Sequence, residues 1–326
     1  MSAARQRATE RAAIADGKEV AAAPRVDTLL SALGRPLARI LRLALSGERA
    51  FVEARRVTAD VSHYLTGLAL RDGARSQLLF TQRIAGRTLR LVLRRPGHIE
   101  DALARDGDWE RHVGDTLAFF VRPGGVLVDV GANVGWHSLR AAVAVPGCAV
   151  LAVEPNPFVR GDLERNCAMN SDARVTVHGC ALGDHAGEAV LHAQRDDAYN
   201  RGSSSLQKNS DLGDRSARVA VPLTTLDALV GGEARVDAIK IDTEGTEAAV
   251  LRGARATIAR CRPVIVLEFE SRYFVDPVVA LAEIRALLGG YRLHVLGPDR
   301  AELSPLADDA VRSRLFRADL FAIASE

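Results

Sequence analysis

Four carboxylates each close an apolar run. Asp129 follows Val126-Leu127-Val128, Glu154 follows Ala149 to Val153, Asp242 follows Val236 to Ile241, and Glu268 follows Pro263 to Leu267. Short apolar runs bounded by turn residues read as buried parallel strands. Acids at the carboxyl ends of such strands face one crevice, where they can accept hydrogen bonds, take up a proton or hold a cation. Between the first two acids lie Gly131-Ala132-Asn133-Val134-Gly135 and a helical pattern from Trp136 to Val145. Strand, glycine turn, helix, strand and terminal acid form a βαβ unit suited to an adenosine-type ligand, with Glu154 placed for the two ribose hydroxyls.

The turn chooses among such ligands. A dinucleotide fingerprint reads Gly-x-Gly-x-x-Gly, so that a pyrophosphate can lie on bare backbone. Counted from Gly131, the third position is Asn133 and the sixth is Trp136, whose side chains would crowd it. The Lys-Ser/Thr of a P-loop is missing as well. An adenosine without phosphate and with positive charge near its reactive end fits better, which points to S-adenosylmethionine (SAM). On this reading Gly131 and Gly135 shape the turn, and Asp129 and Asn133 serve the methionine end. Glu154 takes the ribose, and Ala181 and Leu182 line the adenine. Each has a structural alternative: Asp129 as organiser of the turn, Asn133 as a left-handed turn residue, Glu154 as a helix cap, Ala181 and Leu182 as core.

Methyl transfer needs an acceptor oxygen in line with the C–S bond and a route for its proton. Asp242, which also borders the cofactor, Glu244, His137 and Glu268 are the candidates for that proton. Glu247 suits the start of the following helix, where the dipole favours a carboxylate. No His, Cys or Asp set has a recognisable ligand spacing, so metal-independent chemistry is expected.

These residues need a frame. Strands are predicted at 126–130, 149–154, 174–178, 236–241, 263–269, 291–296 and 318–324, and helices at 135–145, 157–169, 246–260 with a break near Gly253, and 277–288. Alternation of this kind builds a parallel sheet with helices on both faces. The last strand, reached by a short connection, is expected to insert antiparallel. Within the domain at 123–326, a β insertion at 188–221 carries a polar segment, 194–216, that reads as a lid over the acceptor. Upstream, residues 26–122 read as helices and a β-hairpin (Ser76 to Ile84, Thr88 to Leu93) capping the crevice, and 1–25 as a disordered tail. Arg35, Arg39 and Arg42 share one face of an apolar helical pattern, so residues 35–48 are a candidate for peripheral membrane contact, or for docking on the domain itself.

Bulk properties exclude other classes. A net charge of +2 over 326 residues does not suggest a nucleic-acid binder. Cys148, Cys167, Cys180 and Cys261 are scattered, as expected of thiols in a reducing compartment. With no signal-peptide pattern and no apolar run of membrane length, a cytoplasmic protein is expected. A homo-oligomer is compatible with everything in the sequence.

Several segments together resemble the FkbM family of SAM-dependent methyltransferases. They are Val128 to Gly135, Val153-Glu154-Pro155-Asn156-Pro157, Ala181-Leu182-Gly183-Asp184, Val221 to Asp227, Ile239 to Glu247 and Pro263 to Glu268. Gly97 to Glu100 and Trp109-Glu110 are similar to the lead-in of some members. The resemblance implies a class I methyltransferase fold: a Rossmann-like, seven-stranded, mostly parallel α/β sheet. It also implies methyl transfer, usually to a hydroxyl of a polyketide, sugar or glycolipid, so a small-molecule or glycan acceptor is the expected partner. Two other readings stay open, a SAM-fold binding or scaffold protein without catalysis and an NAD(P)-dependent oxidoreductase, the latter opposed by Asn133 and Trp136.

Overall fold

A computed structural model describes residues 76–195, 198–207, 216–232, 235–297, 303–306, 310–313 and 316–325. The expected tail at 1–25 and the basic helical stretch at 35–48 lie outside the described residues. The chain divides into two units, Met1–Leu68 and Ala69–Glu326, and every described residue belongs to the second.

Its elements run β1 (Ser76–Ile84), β2 (Arg87–Arg95), α1 (His98–Asp106), α2 (Arg111–Phe120), β3 (Val126–Val130), α3 (Trp136–Ala144), β4 (Ala149–Val153), α4 (Pro157–Ala168) and β5 (Arg174–His178). The insertion follows with β6 (Ala181–Leu182), β7 (Gly187–Ala193) and β8 (Ala217–Thr224). Then come α5 (Leu226–Val230), β9 (Ala238–Ile241), α6 (Glu247–Arg252), α7 (Arg255–Cys261), β10 (Val264–Glu270), α8 (Pro277–Leu287), β11 (Tyr291–Leu296), β12 (Leu303–Pro305) and β13 (Arg317–Ala324).

Among the described residues the main sheet has eight strands, in the order β12-β11-β13-β10-β9-β3-β4-β5. The expected seven are all present, and β13 is antiparallel to both β10 and β11, as its short connection requires. The count is corrected by β12, three residues paired with His294 to Leu296 at the edge, too short to carry a periodic signal. The order reverses at β3, which has β4 on one side and β9 on the other. That is the switch point at which parallel sheets open a crevice beyond their carboxyl ends.

Alternation along the strands divides the core. Val128, Val130, Ile239, Ile241, Ile265 and Leu267 pack on the α6 to α8 side. Leu127, Val150, Ala152, Ala238, Val264 and Val266 pack against Val113 and Leu117 of α2 and Ala141 and Ala142 of α3. By the same period of two, Asp129, Lys240 and Glu268 fall on the α2/α3 face. The break in the predicted 246–260 helix falls at Gly253-Ala254, between α6 and α7. A Cβ on Gly253 would lie 1.9 Å from the Gly183 carbonyl oxygen, so the helix pair and the insertion meet there through bare backbone.

The β1–β2 hairpin closes through Ala85 (φ 48°) and Gly86 (φ 79°), two left-handed residues whose twist matches the strands. Leu89, Leu91 and Leu93 of β2 share a core with Leu103 of α1 and Trp136, Leu139 and Val143 of α3. The outer edge of β2 is closed by α4 and the turn that follows it: Asn170 accepts from the Arg90 N–H (3.0 Å) and donates to the Arg90 carbonyl (2.6 Å), and Asn166 accepts from the Val92 N–H (2.8 Å). An unpaired strand edge is thereby satisfied by side chains.

The insertion is a separate three-stranded sheet, β6-β8-β7, which starts earlier than the expected 188 because Ala181-Leu182 pairs parallel with Leu223-Thr224. Its polar segment is firmly tied where it is described. Arg201 is buried and pairs with Glu100 of α1 and with Asp162 of α4 (2.6 Å). The Asn156 side-chain amide donates to the carbonyls of Gln194 (3.2 Å) and Arg201 (3.3 Å) and to Ser204 Oγ (3.0 Å). The His98 N–H donates to the Tyr199 carbonyl (2.9 Å). Residues 198–207 therefore form a wall, held at several points. No helix among the described residues is long and apolar enough to cross a membrane.

Removing one member of a buried ion pair leaves the other charge without its partner. Arg201→Met should lower unfolding free energy by about 3 kcal/mol in urea titration, because Glu100 loses its guanidinium while Asp162 keeps Arg165 at 2.6 Å.

Candidate active site

Beyond the carboxyl ends of β3, β4, β9 and β10 lies a crevice of about 890 Å³, counted with the solvent space of its open mouth. Its wall on the β4 side is built around Glu154. This carboxylate is buried, and its two oxygens each accept one backbone N–H, from Asn133 (2.9 Å) and from Asn156 (2.8 Å). Each oxygen keeps a second lone pair. Burial pushes Glu154 up to about 7, against the two amides and Lys240, which pull it down. The Asn156 side chain, not Glu154, caps α4 by accepting from the Phe158 N–H (3.0 Å). Val153, Ala181 and Leu182 line the same wall.

The turn after β3 forms the floor. Gly131 has φ 79°, and a Cβ there would lie 1.9 Å from the Asp242 carbonyl oxygen, so the ends of β3 and β9 touch through bare backbone. Asn133 takes the left-handed conformation (φ 52°) and also lines the crevice. Gly135 is not on the wall; its φ is 90°, and Leu163 packs where a Cβ would stand.

Asp129 is not on the wall either. It is fully buried under the turn, where Oδ2 accepts from Ser138 Oγ (2.6 Å) and Oδ1 lies 3.6 Å from Lys240 Nζ. Lys240, its register partner across the sheet, also reaches the Gly131 carbonyl (3.3 Å) and Asp242 Oδ2 (3.2 Å). Burial alone would discharge this ammonium; Asp242, Asp129 and Glu110 around it hold its pKa above the ordinary lysine value.

The opposite wall carries the acids. Asp242, Glu244, Glu268, Glu270 and Glu110 all line it. Arg317 pairs with Glu268 (2.6 Å) and Glu270 (2.9 Å), and Arg272 with Glu270. Asp242, Glu244 and Glu268 each offer an oxygen within 4.8 Å of the others, a spacing a divalent ion could use, but Arg317 already contributes a cation there. Burial, reinforced by Asp242 and Glu270, pushes Glu244 well up, and its Oε2 has no hydrogen-bond partner among the described residues. Burial raises Glu268 too; Arg317 opposes the shift and Asp242 and Glu244 add to it. Glu247 is structural, its Oε1 accepting from the N–H groups of Thr243 (3.2 Å) and Gly245 (3.0 Å).

The structure thus brings together Gly131, Asn133, Glu154, Ala181, Leu182, Asp242, Glu244 and Glu268, and leaves Asp129, Gly135 and His137 outside the crevice. His137 lies behind Glu110, with Nε2 3.2 Å from Glu110 Oε2. Sequence reasoning missed Glu110, Lys240, Arg272 and Arg317. A lysine within Ala238-Ile239-Lys240-Ile241, two residues before an acid, was a usable signal; the arginines carried none.

Residues 129–293, just over half of the chain, match the Methyltransferase FkbM domain. The chain belongs to this family. The 31-O-demethyl-FK506 methyltransferase FkbM of Streptomyces tacrolimicus is 29% identical over 212 residues, covering 57% of this chain and 77% of that protein. Methyltransferase 1 of Beauveria bassiana is 29% identical over 144 residues, 39% of this chain, and the match spans only 57% of that protein. The solved structure of a methyltransferase FkbM from Methylobacillus flagellatus is 18% identical, with a TM-score of 0.39, over 64% of this chain and 50% of that one. The FkbM domain opens at Asp129 and closes inside β11, so it contains the glycine turn, Glu154 and the acids of β9 and β10.

Gly131→Ala should destabilise the protein by about 3 kcal/mol or more, combining a left-handed alanine with backbone overlap. Gly86→Ala, equally left-handed but facing open space, should cost about 1 kcal/mol. Urea unfolding of the two variants side by side separates overlap from conformational strain.

Proposed function

We propose that this FkbM-family protein is a SAM-dependent O-methyltransferase acting on a hydroxyl of a sugar, glycan or secondary metabolite. The observation that carries the cofactor reading is Glu154. One lone pair on each of its oxygens is committed to a backbone amide, which fixes the carboxylate, and the others face a crevice lined by Val153, Ala181 and Leu182. That arrangement fits two vicinal ribose hydroxyls beside a flat apolar base. The floor is bare backbone at Gly131, and the Asn133 side chain beside it, on the crevice wall, disfavours a pyrophosphate there. The acid-rich wall suits a cationic ligand.

Bound SAM supplies an electrophilic methyl group. The residues of the opposite wall orient the acceptor and receive its proton. Asp242, held by Lys240, is a fixed acceptor for the incoming hydroxyl. Glu244 is the base: its Oε2 is unengaged, and its raised pKa makes the ionised form a stronger proton acceptor. Glu268 is committed to Arg317 and serves to place that guanidinium, and His137 acts only through Glu110. A polar, acid-lined wall with Asn200 and Ser203 at its rim suits a polyhydroxylated acceptor.

Calorimetric titration with SAM and S-adenosylhomocysteine tests this reading. One-site binding to wild type, lost in Glu154→Ala, is expected; a folded wild type that binds neither ligand overturns it. The ribose hydroxyls donate to the ionised carboxylate, and Glu154 is mostly protonated below about 7. SAM affinity should therefore rise by about tenfold from pH 6 to pH 8, following the ionised fraction. A flat profile would remove Glu154 from the ribose. With an acceptor that supports release of S-adenosylhomocysteine, Glu244→Gln should lower turnover by about 10²-fold or more while SAM affinity changes by less than about threefold. Parallel losses in both would assign Glu244 to binding.

A further inference from the structure

Glu110 is an acid of the crevice wall that the proposed chemistry leaves without a task. It is the residue before α2 and adopts a left-handed conformation (φ 45°, ψ 54°) rare for a glutamate. Its carboxylate faces two side chains of different kinds: Oε2 lies 3.2 Å from His137 Nε2, and Oε1 lies 3.7 Å from the Arg317 guanidinium. The second contact is too long for a hydrogen bond, so most of the carboxylate's accepting capacity remains. Burial would raise its pKa, but the bond and charge of His137, with Arg317 and Lys240, hold it down at about 2.

Its place on the sheet is specific. Glu154 stands at the tip of β4, on one side of β3. Arg317 lies on β13 and Lys240 on β9, both on the other side of β3, so Glu110 borders the crevice there. A ligand with its ribose on Glu154 that crosses the Gly131 turn puts its far end on the Glu110 side. The far end of SAM is the amino-acid part, whose ammonium carries three donors and pairs most strongly with a carboxylate. Asp129, the sequence candidate for that end, is fully buried beneath the turn and off the crevice wall, with Oδ2 accepting from Ser138. Among the wall acids on that side, Asp242 pairs with Lys240 through Oδ2 and is already assigned to the acceptor hydroxyl, and Glu268 and Glu270 pair with Arg317. Glu244 lies toward the 198–207 wall, where Ser205 Oγ donates to its carbonyl (2.7 Å).

We propose that Glu110 is the binding residue for the α-ammonium group of the cofactor's methionine end, with His137 behind it fixing the carboxylate. This inference rests on the SAM reading. It gives Glu110 a direct contact and His137 a positioning role.

The test compares two ligands that share adenosine and sulfur. S-Adenosylhomocysteine carries the amino-acid end; 5′-methylthioadenosine lacks it. Wild type, Glu110→Gln and Glu110→Asp are titrated with both by calorimetry, with melting curves recorded alongside. Glu110→Gln should weaken S-adenosylhomocysteine by about tenfold or more, the worth of a charge-assisted contact, and leave 5′-methylthioadenosine within about twofold. Glu110→Asp, which keeps the charge on a shorter arm, should give a smaller loss confined to S-adenosylhomocysteine, and it stands in if the glutamine variant does not fold. Equal loss of both ligands means that Glu110 only shapes the crevice and overturns the proposal, as does unchanged S-adenosylhomocysteine affinity. Wild type binding neither ligand removes the cofactor reading itself.

Discussion

The contact between the ends of β3 and β9 governs the rest of the site. Gly131 approaches the Asp242 carbonyl so closely that no side chain fits, and the Asp242 N–H donates to the Val130 carbonyl at 3.0 Å. Just beneath, Lys240 joins Asp129, Asp242 and the Gly131 carbonyl. A buried ion pair of this kind contributes little net stability, because desolvation offsets the attraction. Its larger effect is on register. A slip of one residue in β9 would turn Lys240 onto the apolar α6 to α8 face, where no acid pairs with it, and would carry Asp242 away from the crevice. The floor of the site and the pairing of the two central strands are therefore one constraint.

A second consequence concerns charge. Five acids of the wall, Glu110, Asp242, Glu244, Glu268 and Glu270, face three cations, Lys240, Arg272 and Arg317. Burial, with the neighbouring acids adding to it, raises Glu244 and Glu268 and so disfavours their charged forms. A cationic ligand would relieve the same imbalance without protonation. The wall therefore carries an electrostatic preference for positive charge before any ligand contact is specified, and perturbed carboxyls of this kind gather where proton transfer occurs.

The parts of this architecture that repeat locally were readable from the chain. Val126–Val130, Ala149–Val153 and Val264–Glu270 are short apolar runs ending near turn residues or acids, and burial on both faces leaves little else for them to be. Gly131 and the place of Glu154 on the crevice wall were readable because close backbone approach demands glycine and an acid at a strand's carboxyl end faces the crevice. Asp129 fits the same pattern, yet it lies under the floor, because a strand's alternation says which face a side chain takes and not whether a helix covers it. Here Ser138 of α3 does. Glu110 and Arg317 come from segments far from the motif, and only the packing of α2 and the antiparallel insertion of β13 bring them to the crevice. The polar segment after β7 suggested mobility by composition. Its Arg201, Ser204 and Ser205 instead satisfy buried partners that no local pattern announces.

That segment also joins the two halves of the site. Asn156, whose backbone N–H fixes one oxygen of Glu154, holds the segment through Arg201 and Ser204. A few residues on, Ser205 donates to the Glu244 carbonyl and Gln207 to the Gly245 carbonyl (2.6 Å). These bonds fall on and next to a glutamate in the left-handed region (φ 56°), a conformation that costs energy and persists only where its surroundings impose it. The strain is thus held in place by the same wall that is anchored beside Glu154. Displacing the wall would loosen Glu154's neighbour and release Glu244 together, so the two sides of the crevice depend on a single set of contacts.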